Sequence, residues 1–286
     1  MLRPFLCRLI GMFLRFLLFL VVKLPKKDRV VGTVIGDNRT RLAKILNFLF
    51  PSASTVFPEK LESLPFRFER SGIVLGFNHF SLGEIPRLIA LCFKSYQNRD
   101  LLFPINDEFY PIFSYSKKYL DAVGIELCPL ITPRVYKKLM EFYQDVPDAK
   151  HEVEARRAKL DREYLNRAAV VLEENGVVLV APSATRRPTV FGSEEEFLGL
   201  KPVPPVFRLL ALNFSRLFPN RHHLEFIPVP ITPPASFSRG LNLFRKYYFP
   251  AFFTPFGLEE AKQKEFDHDF LMFIADQLPR SLSYPS

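Results

Sequence analysis

Ile73-Val74-Leu75-Gly76-Phe77-Asn78-His79-Phe80-Ser81-Leu82-Gly83-Glu84-Ile85-Pro86 is the stretch on which the fold turns. Its first five residues form a short apolar run that ends at Asn78-His79, the signature of a buried strand. Pro86 then suits the first turn of a helix, because proline has a preset φ and needs no amide partner there, and Leu88–Phe93 continues that helix. The same alternation runs outward from this point. Leu101–Ile105 reads as a strand, Phe109–Leu120 as a helix closed by Gly124, and Ile125–Ile131 as the next strand. Residues 150–174 read as a long charged helix ending at Gly176, a residue type that suits a C-terminal cap. Val177–Val180 is a four-residue apolar strand, Pro204–Phe214 a helix, Leu224–Ile231 a strand, Tyr247–Phe253 a further strand and Leu258–Leu278 the last helix. Residues 30–66 are expected to add helices against the core. Strands alternating with helices predict an α/β fold, with a mostly parallel central sheet flanked by helices on both faces.

The bulk composition sets limits on partners. A chain of 286 residues is near the top of the range for one α/β domain, so one catalytic domain over 28–286 with an N-terminal attachment over 1–27 is expected. The chain has 31 Phe, 10 Tyr and no Trp. Phe has no polar handle, so this surplus belongs in the core, in a ligand tunnel or on a membrane face. A net charge of +9 suits an anionic partner, whether nucleic acid, acidic lipid or a phosphate-bearing substrate, without choosing among them. Cys7, Cys92 and Cys128 have no metal or redox spacing and read as reduced thiols in a reducing compartment. His151, His222, His223 and His268 have no clear role, and no metal-ligand set is apparent.

The first 29 residues are apolar and cationic together: Arg3, Arg8, Arg15, Lys23, Lys26, Lys27 and Arg29 stand against Asp28 alone. The longest uncharged stretch, Phe16 to Val22, is far shorter than the ~20 apolar residues needed to span a bilayer. Arg8 and Arg15 are seven apart and share one helix face. An apolar helix with a cationic stripe lies in the headgroup plane of an anionic leaflet, so residues 1–27 are expected to form an N-terminal membrane-interfacial helix, uncleaved and monotopic, on the cytoplasmic face. The other reading is a helix packed on its own domain, which would have to provide partners for buried arginines. The charge excess is clearest in this apolar segment, which disfavours a nucleic-acid partner.

Three short motifs carry candidate chemistry. In Asn78-His79…Glu84 an acid follows a histidine by five positions across a strand-to-helix turn, where it can fold back onto the imidazole. A carboxylate on one ring nitrogen fixes the tautomer, and the other nitrogen can then take a proton from a hydroxyl. Ala181-Pro182-Ser183-Ala184-Thr185-Arg186-Arg187 places two guanidiniums just past a buried strand, where they suit phosphate oxygens. Phe226-Ile227-Pro228-Val229-Pro230-Ile231-Thr232-Pro233-Pro234 ends a strand in a proline-fixed loop.

In this order, the three motifs resemble those of the glycerol-phosphate and lysophosphatidate acyltransferase family, which carries N-H-x-x-x-x-D, then F-P-E-G-T-R, then a V-P-V-x-x-x-P-like strand. The resemblance covers roughly residues 70–235, and Asn106–Pro129 is also similar to the family's intervening segment. It implies direct transfer of a fatty acyl group from acyl-CoA or acyl-carrier protein to the hydroxyl of a glycerol-phosphate or lysophospholipid acceptor. In that scheme His79 is the general base and Glu84 its orienting acid. Asn78, Arg134, Thr185, Arg186 and Arg187 bind substrate, and no metal or cofactor is required. Two departures stand out. Glu84 replaces the family's Asp, which moves the carboxylate one methylene outward, and Ser183-Ala184 replaces Glu-Gly. They leave a second reading beside the first, a catalytically degenerate membrane- or lipid-binding protein on the same fold.

Overall fold

The computed structural model describes Met12, Arg15, Phe16, residues 18–20, Val22, and residues 31–49, 71–78, 84–96, 98–181, 205–231 and 255–276. Strands β1 (Gly72–Phe77), β2 (Leu101–Asn106), β3 (Ile125–Leu130), β4 (Val177–Val180) and β5 (Leu224–Val229) are mutually parallel. The two-residue β6 (Phe256–Gly257) pairs antiparallel with β5, and the order across the sheet is β3-β2-β4-β1-β5-β6. Strands β1, β4 and β5 are buried along their whole length, as apolar runs require of strands covered on both faces; the one charged residue among them, Glu225 of β5, accepts a hydrogen bond from the Ser71 hydroxyl. This is the expected α/β architecture with a mostly parallel sheet.

Alternate residues of each strand feed two separate cores. Ile73, Leu75 and Phe77 of β1 pack on one face with α1 (Val31–Leu49) and α2 (Glu84–Ser95). Tyr119 and Leu120 of α4 (Lys117–Asp121) join the same core. Val74, Val178, Val180 and Phe226 pack on the other face. They meet α6 (Pro147–Glu173), α7 (Val206–Leu217), α8 (Leu258–Ala261) and α9 (Phe266–Asp276) there. The phenylalanine surplus largely explains this second core: Phe207, Phe226, Phe256, Phe266 and Phe270 form a chain of edge and tilted ring contacts with centroids 4.3–6.3 Å apart. These rings belong to the core. Cys92 and Cys128 are buried free thiols; burial pushes both up, Cys128 to about 12.

Several expected elements are redrawn. The helix expected over Phe109–Leu120 is two short ones, α3 (Tyr110–Ser114) and α4, separated by a turn at Tyr115–Ser116. The helix expected over Leu258–Leu278 breaks at the polar run Lys262–Glu265, which leaves Asp267 free to cap a different helix. The left-handed residue that ends α6 is Asn175 (φ 60°), not Gly176; a Cβ on Gly176 would instead overlap Val171. Pro228 lies inside β5, where a proline was not expected. Among the described residues β6 reaches only as far as Glu225 and Phe226, so Pro228 lies beyond that pairing, where a missing amide is tolerated. The strand expected over Tyr247–Phe253 lies outside the described residues. An unanticipated helix, α5 (Pro133–Phe142), pairs with the first half of α6.

Helix α6 is far longer than the strand it precedes. Arg167 binds Glu126 near the start of β3 (2.7 Å), and Arg156 binds Asp107 just past the end of β2 (2.6 Å). Residues 147–155 therefore rise beyond the carboxyl end of the sheet by about 14 Å, at 1.5 Å per residue. Helix α5 stands against this extension, with the Arg157 guanidinium 4.3 Å from the Tyr136 ring centre and Phe142 exposed at the tip.

At the N-terminus, Met12, Arg15, Phe16, Leu18, Phe19 and Leu20 are helical. Leu18 and Val22 are buried in the first core, and Phe19 meets Tyr119 edge-on at 6.3 Å. Met12, Arg15, Phe16 and Leu20 face outward. No helix among the described residues is long and apolar enough to cross a membrane.

Candidate active site

Strand order decides which of the strands that precede the motifs are neighbours. Each of the three motifs follows a strand: His79 follows β1, Arg186 follows β4, and Thr232 follows β5. In the sheet these are neighbours, β4-β1-β5, with Gly76 level with both Val180 and Pro228 and Phe77 level with Val229. Moreover, β1 leads into α2 on one face, whereas β4 leads toward α7 on the other. In an open α/β sheet, the carboxyl ends of adjacent parallel strands followed by helices on opposite faces are the usual position of a ligand crevice. The arm formed by α5 and α6 rises at the same end of the sheet, on the β2–β3 side.

Asn78 is the described residue at the centre of this arrangement. It is 1% exposed. Its Oδ1 accepts the Ile231 amide N–H (2.6 Å) and its Nδ2 donates to the Ile231 carbonyl (2.9 Å). The side chain thus ties the end of β1 to the loop that leaves β5. Glu84 is the first residue of α2, and Arg134 lies in the first turn of α5, directly after β3. Strand β3 is three inter-strand spacings from β1, about 14 Å at roughly 4.8 Å each, so Arg134 starts from the far side of the crevice. His79, Thr185, Arg186, Arg187 and the side chains of Glu84 and Arg134 lie outside the described residues. What is observed is that the strands preceding His79 and Arg186 are neighbours and that β5 lies on the other side of β1.

Two features near the crevice gave no sign in the sequence. Arg87 lies three residues after Glu84 on α2, hence on the same helix face, and is 2% exposed. Asp267 of α9 accepts the amide N–H groups of Phe207 (2.9 Å) and Arg208 (3.0 Å), capping the helix that follows the arginine motif. Burial raises the Asp267 carboxyl above its ordinary value, against the opposing pull of those amides. His222 and His223 border a cavity of about 120 Å³ with Glu173, Asn175 and Arg221, at the amino ends of the strands and so opposite the crevice. Among the described residues no group of three or more His, Cys, Asp or Glu side chains is arranged to hold a metal ion.

No family model matches the chain, and no curated protein matches it.

Proposed function

We propose that the protein is a membrane-associated acyltransferase that moves a fatty acyl group from acyl-CoA or acyl-carrier protein to the hydroxyl of a glycerol-phosphate or lysophospholipid acceptor. The observation that supports this reading is the order β4-β1-β5, which makes neighbours of the three strands that the motifs follow in the sequence. The three strands that the motifs follow, far apart in the chain, are thus neighbours in the sheet. In the proposed reaction His79 removes the acceptor's hydroxyl proton while Glu84 stabilises the imidazolium. The oxygen attacks the thioester carbonyl, the C–S bond breaks, and the departing thiolate recovers the proton. Thr185, Arg186 and Arg187, with Arg134 from the β3 side, hold the acceptor's phosphate, since guanidinium matches phosphate oxygens in pairs.

The outward side of the N-terminal helix is part of the same proposal. Leu18 and Val22 fasten it to the domain, while Met12, Phe16 and Leu20 face outward beside the exposed Arg15. Apolar side chains with a neighbouring cation suit the headgroup plane of an anionic leaflet, from which a lysolipid acceptor is drawn.

The test is transfer of radiolabelled acyl groups from acyl-CoA and acyl-carrier protein to a panel of lysolipids and glycerol phosphate. Wild type should transfer, and His79→Ala should lose about a thousandfold, the scale of general-base catalysis, with its circular dichroism unchanged. Glu84→Gln should lose more than Glu84→Asp, which keeps the charge. Equal rates for wild type and His79→Ala would remove the reading. A wild type that transfers nothing but binds vesicles would instead support the lipid-binding alternative raised by Glu84 and Ser183-Ala184.

A further inference from the structure

The backbone ladder between β1 and β5 ends at Phe77 and Val229. Two residues further along the same chain, the N–H and C=O of Ile231 again face β1, but no β1 backbone meets them. Both are taken by the Asn78 side chain, at 2.6 and 2.9 Å. A carboxamide carries one carbonyl and one N–H edge, as a peptide group does, so Asn78 stands in for the strand residue that β1 gives up at this point. The substitution has a purpose that follows from burial. Ile231 is itself 0% exposed, and a buried peptide group left without partners is destabilising. Where β1 ends, something other than its backbone has to satisfy that group.

We propose that Asn78 is a positioning residue for acyl transfer: its amide, acting as a side-chain continuation of the sheet, fixes the His79 turn to the loop after β5. This rests on His79 being the base. Asn is the one residue type that serves, because Asp lacks the donor, Leu lacks both groups, and Gln has the right groups on a longer stem. The role predicts a loss in the chemical step rather than in substrate affinity. It also predicts an unusual pH response. In Asn78→Asp an ionised carboxylate faces the Ile231 carbonyl and repels it, whereas a protonated one restores an O–H donor beside a carbonyl acceptor. The clamp should therefore re-form as the pH falls.

The experiment uses the full chain. Hydrogen exchange of the Ile231 amide reports the clamp, and steady-state kinetics with radiolabelled acyl-CoA and lysolipid report its consequence. Wild type should protect Ile231. Asn78→Leu should lose that protection and drop kcat roughly a hundredfold, the effect of about 1 Å of misplacement, with KM within about threefold. Asn78→Asp keeps an acceptor for the Ile231 N–H but loses the donor to its carbonyl, so its protection factor should fall between those of wild type and Asn78→Leu at pH 8 and rise toward wild type on acidification in the same sample, which keeps the test usable if Asn78→Leu folds poorly. Unchanged Ile231 protection in both variants overturns the clamp. Lost protection with kcat within twofold of wild type overturns the positioning role and leaves a purely structural bond. If wild type transfers no acyl group, the acyltransferase reading fails and the kinetic role with it, while the exchange measurement still decides whether Asn78 joins the two strand ends.

Discussion

Gly124 meets two constraints at one position. Its φ of 65° is a left-handed conformation that side chains resist, and a Cβ there would overlap the Arg39 guanidinium and Asp100. That guanidinium is the bolt between α1 and the sheet: it bonds the Val123 carbonyl (2.8 Å) and Asp100 (2.5 Å), and Asn38 bonds Ala122 beside it (3.0 Å). Gly124→Ala should destabilise by at least about 2 kcal/mol in urea unfolding, from backbone strain plus displacement of Arg39. Asp267 gives a second prediction. Losing the cap in Asp267→Ala should cost about 1–2 kcal/mol, while Asp267→Asn, which keeps an acceptor, should cost less. The folded carboxyl titrates above the ordinary 3.8. Its contribution to stability is therefore full below that pH and is lost as pH rises through the folded value. The gap between Asp267→Asn and wild type should thus narrow or reverse from pH 4 upward, read from thermal midpoints. A gap that widens in favour of wild type would contradict the direction of that shift.

At the scale of elements, α6 shows how a helix can be legible in outline and misread at its end. Its charged face and length were plain, and a glycine three residues past Glu173 looked like the cap. The chain reverses one residue earlier, at Asn175, because Gly176 is already committed to a close approach to Val171 and to the start of β4. Asn175→Ala should lower the melting temperature by the cost of a left-handed alanine, about 1 kcal/mol, and Asn175→Gly should be neutral or slightly stabilising. A neutral Ala variant would mean the reversal is not held at this residue. Helix α5 escaped the sequence reading for a related reason. Its apolar residues Val135, Tyr136, Leu139 and Met140 are only half-buried. They face the upper part of α6 instead of the sheet, so the pattern marks no boundary of the core.

At the scale of the molecule, the described residues between Met12 and Val22 divide into buried (Leu18, Val22) and exposed (Met12, Arg15, Phe16, Phe19, Leu20), and the two sets can be separated experimentally. Deleting residues 1–27 should both release the protein from anionic vesicles and destabilise it by about 3 kcal/mol or more, because Leu18 and Val22 leave the core. Phe16→Ser combined with Leu20→Ser should release it from vesicles with the melting temperature unchanged, since these side chains are 59% and 63% exposed. Full flotation of that double variant would place membrane contact on another surface.

The strands were readable from the chain alone, because a short apolar run bounded by turn-forming residues has few other fates, and their alternation with helices was enough to determine an α/β class. The motif order Asn78-His79, Arg186-Arg187, Pro228–Pro234 was readable for the same local reason. Which strands lie side by side was not. Placing β4 between β2 and β1 depends on the crossover through α6, and no local pattern encodes where a crossover lands. The bond between Asn78 and Ile231 joins residues 153 positions apart. It exists only because β1 and β5 are neighbours and both end there. Local propensity writes the elements; the pairing of strands, and with it the crevice, is decided by which buried faces and orphaned amides the folded chain can satisfy at once.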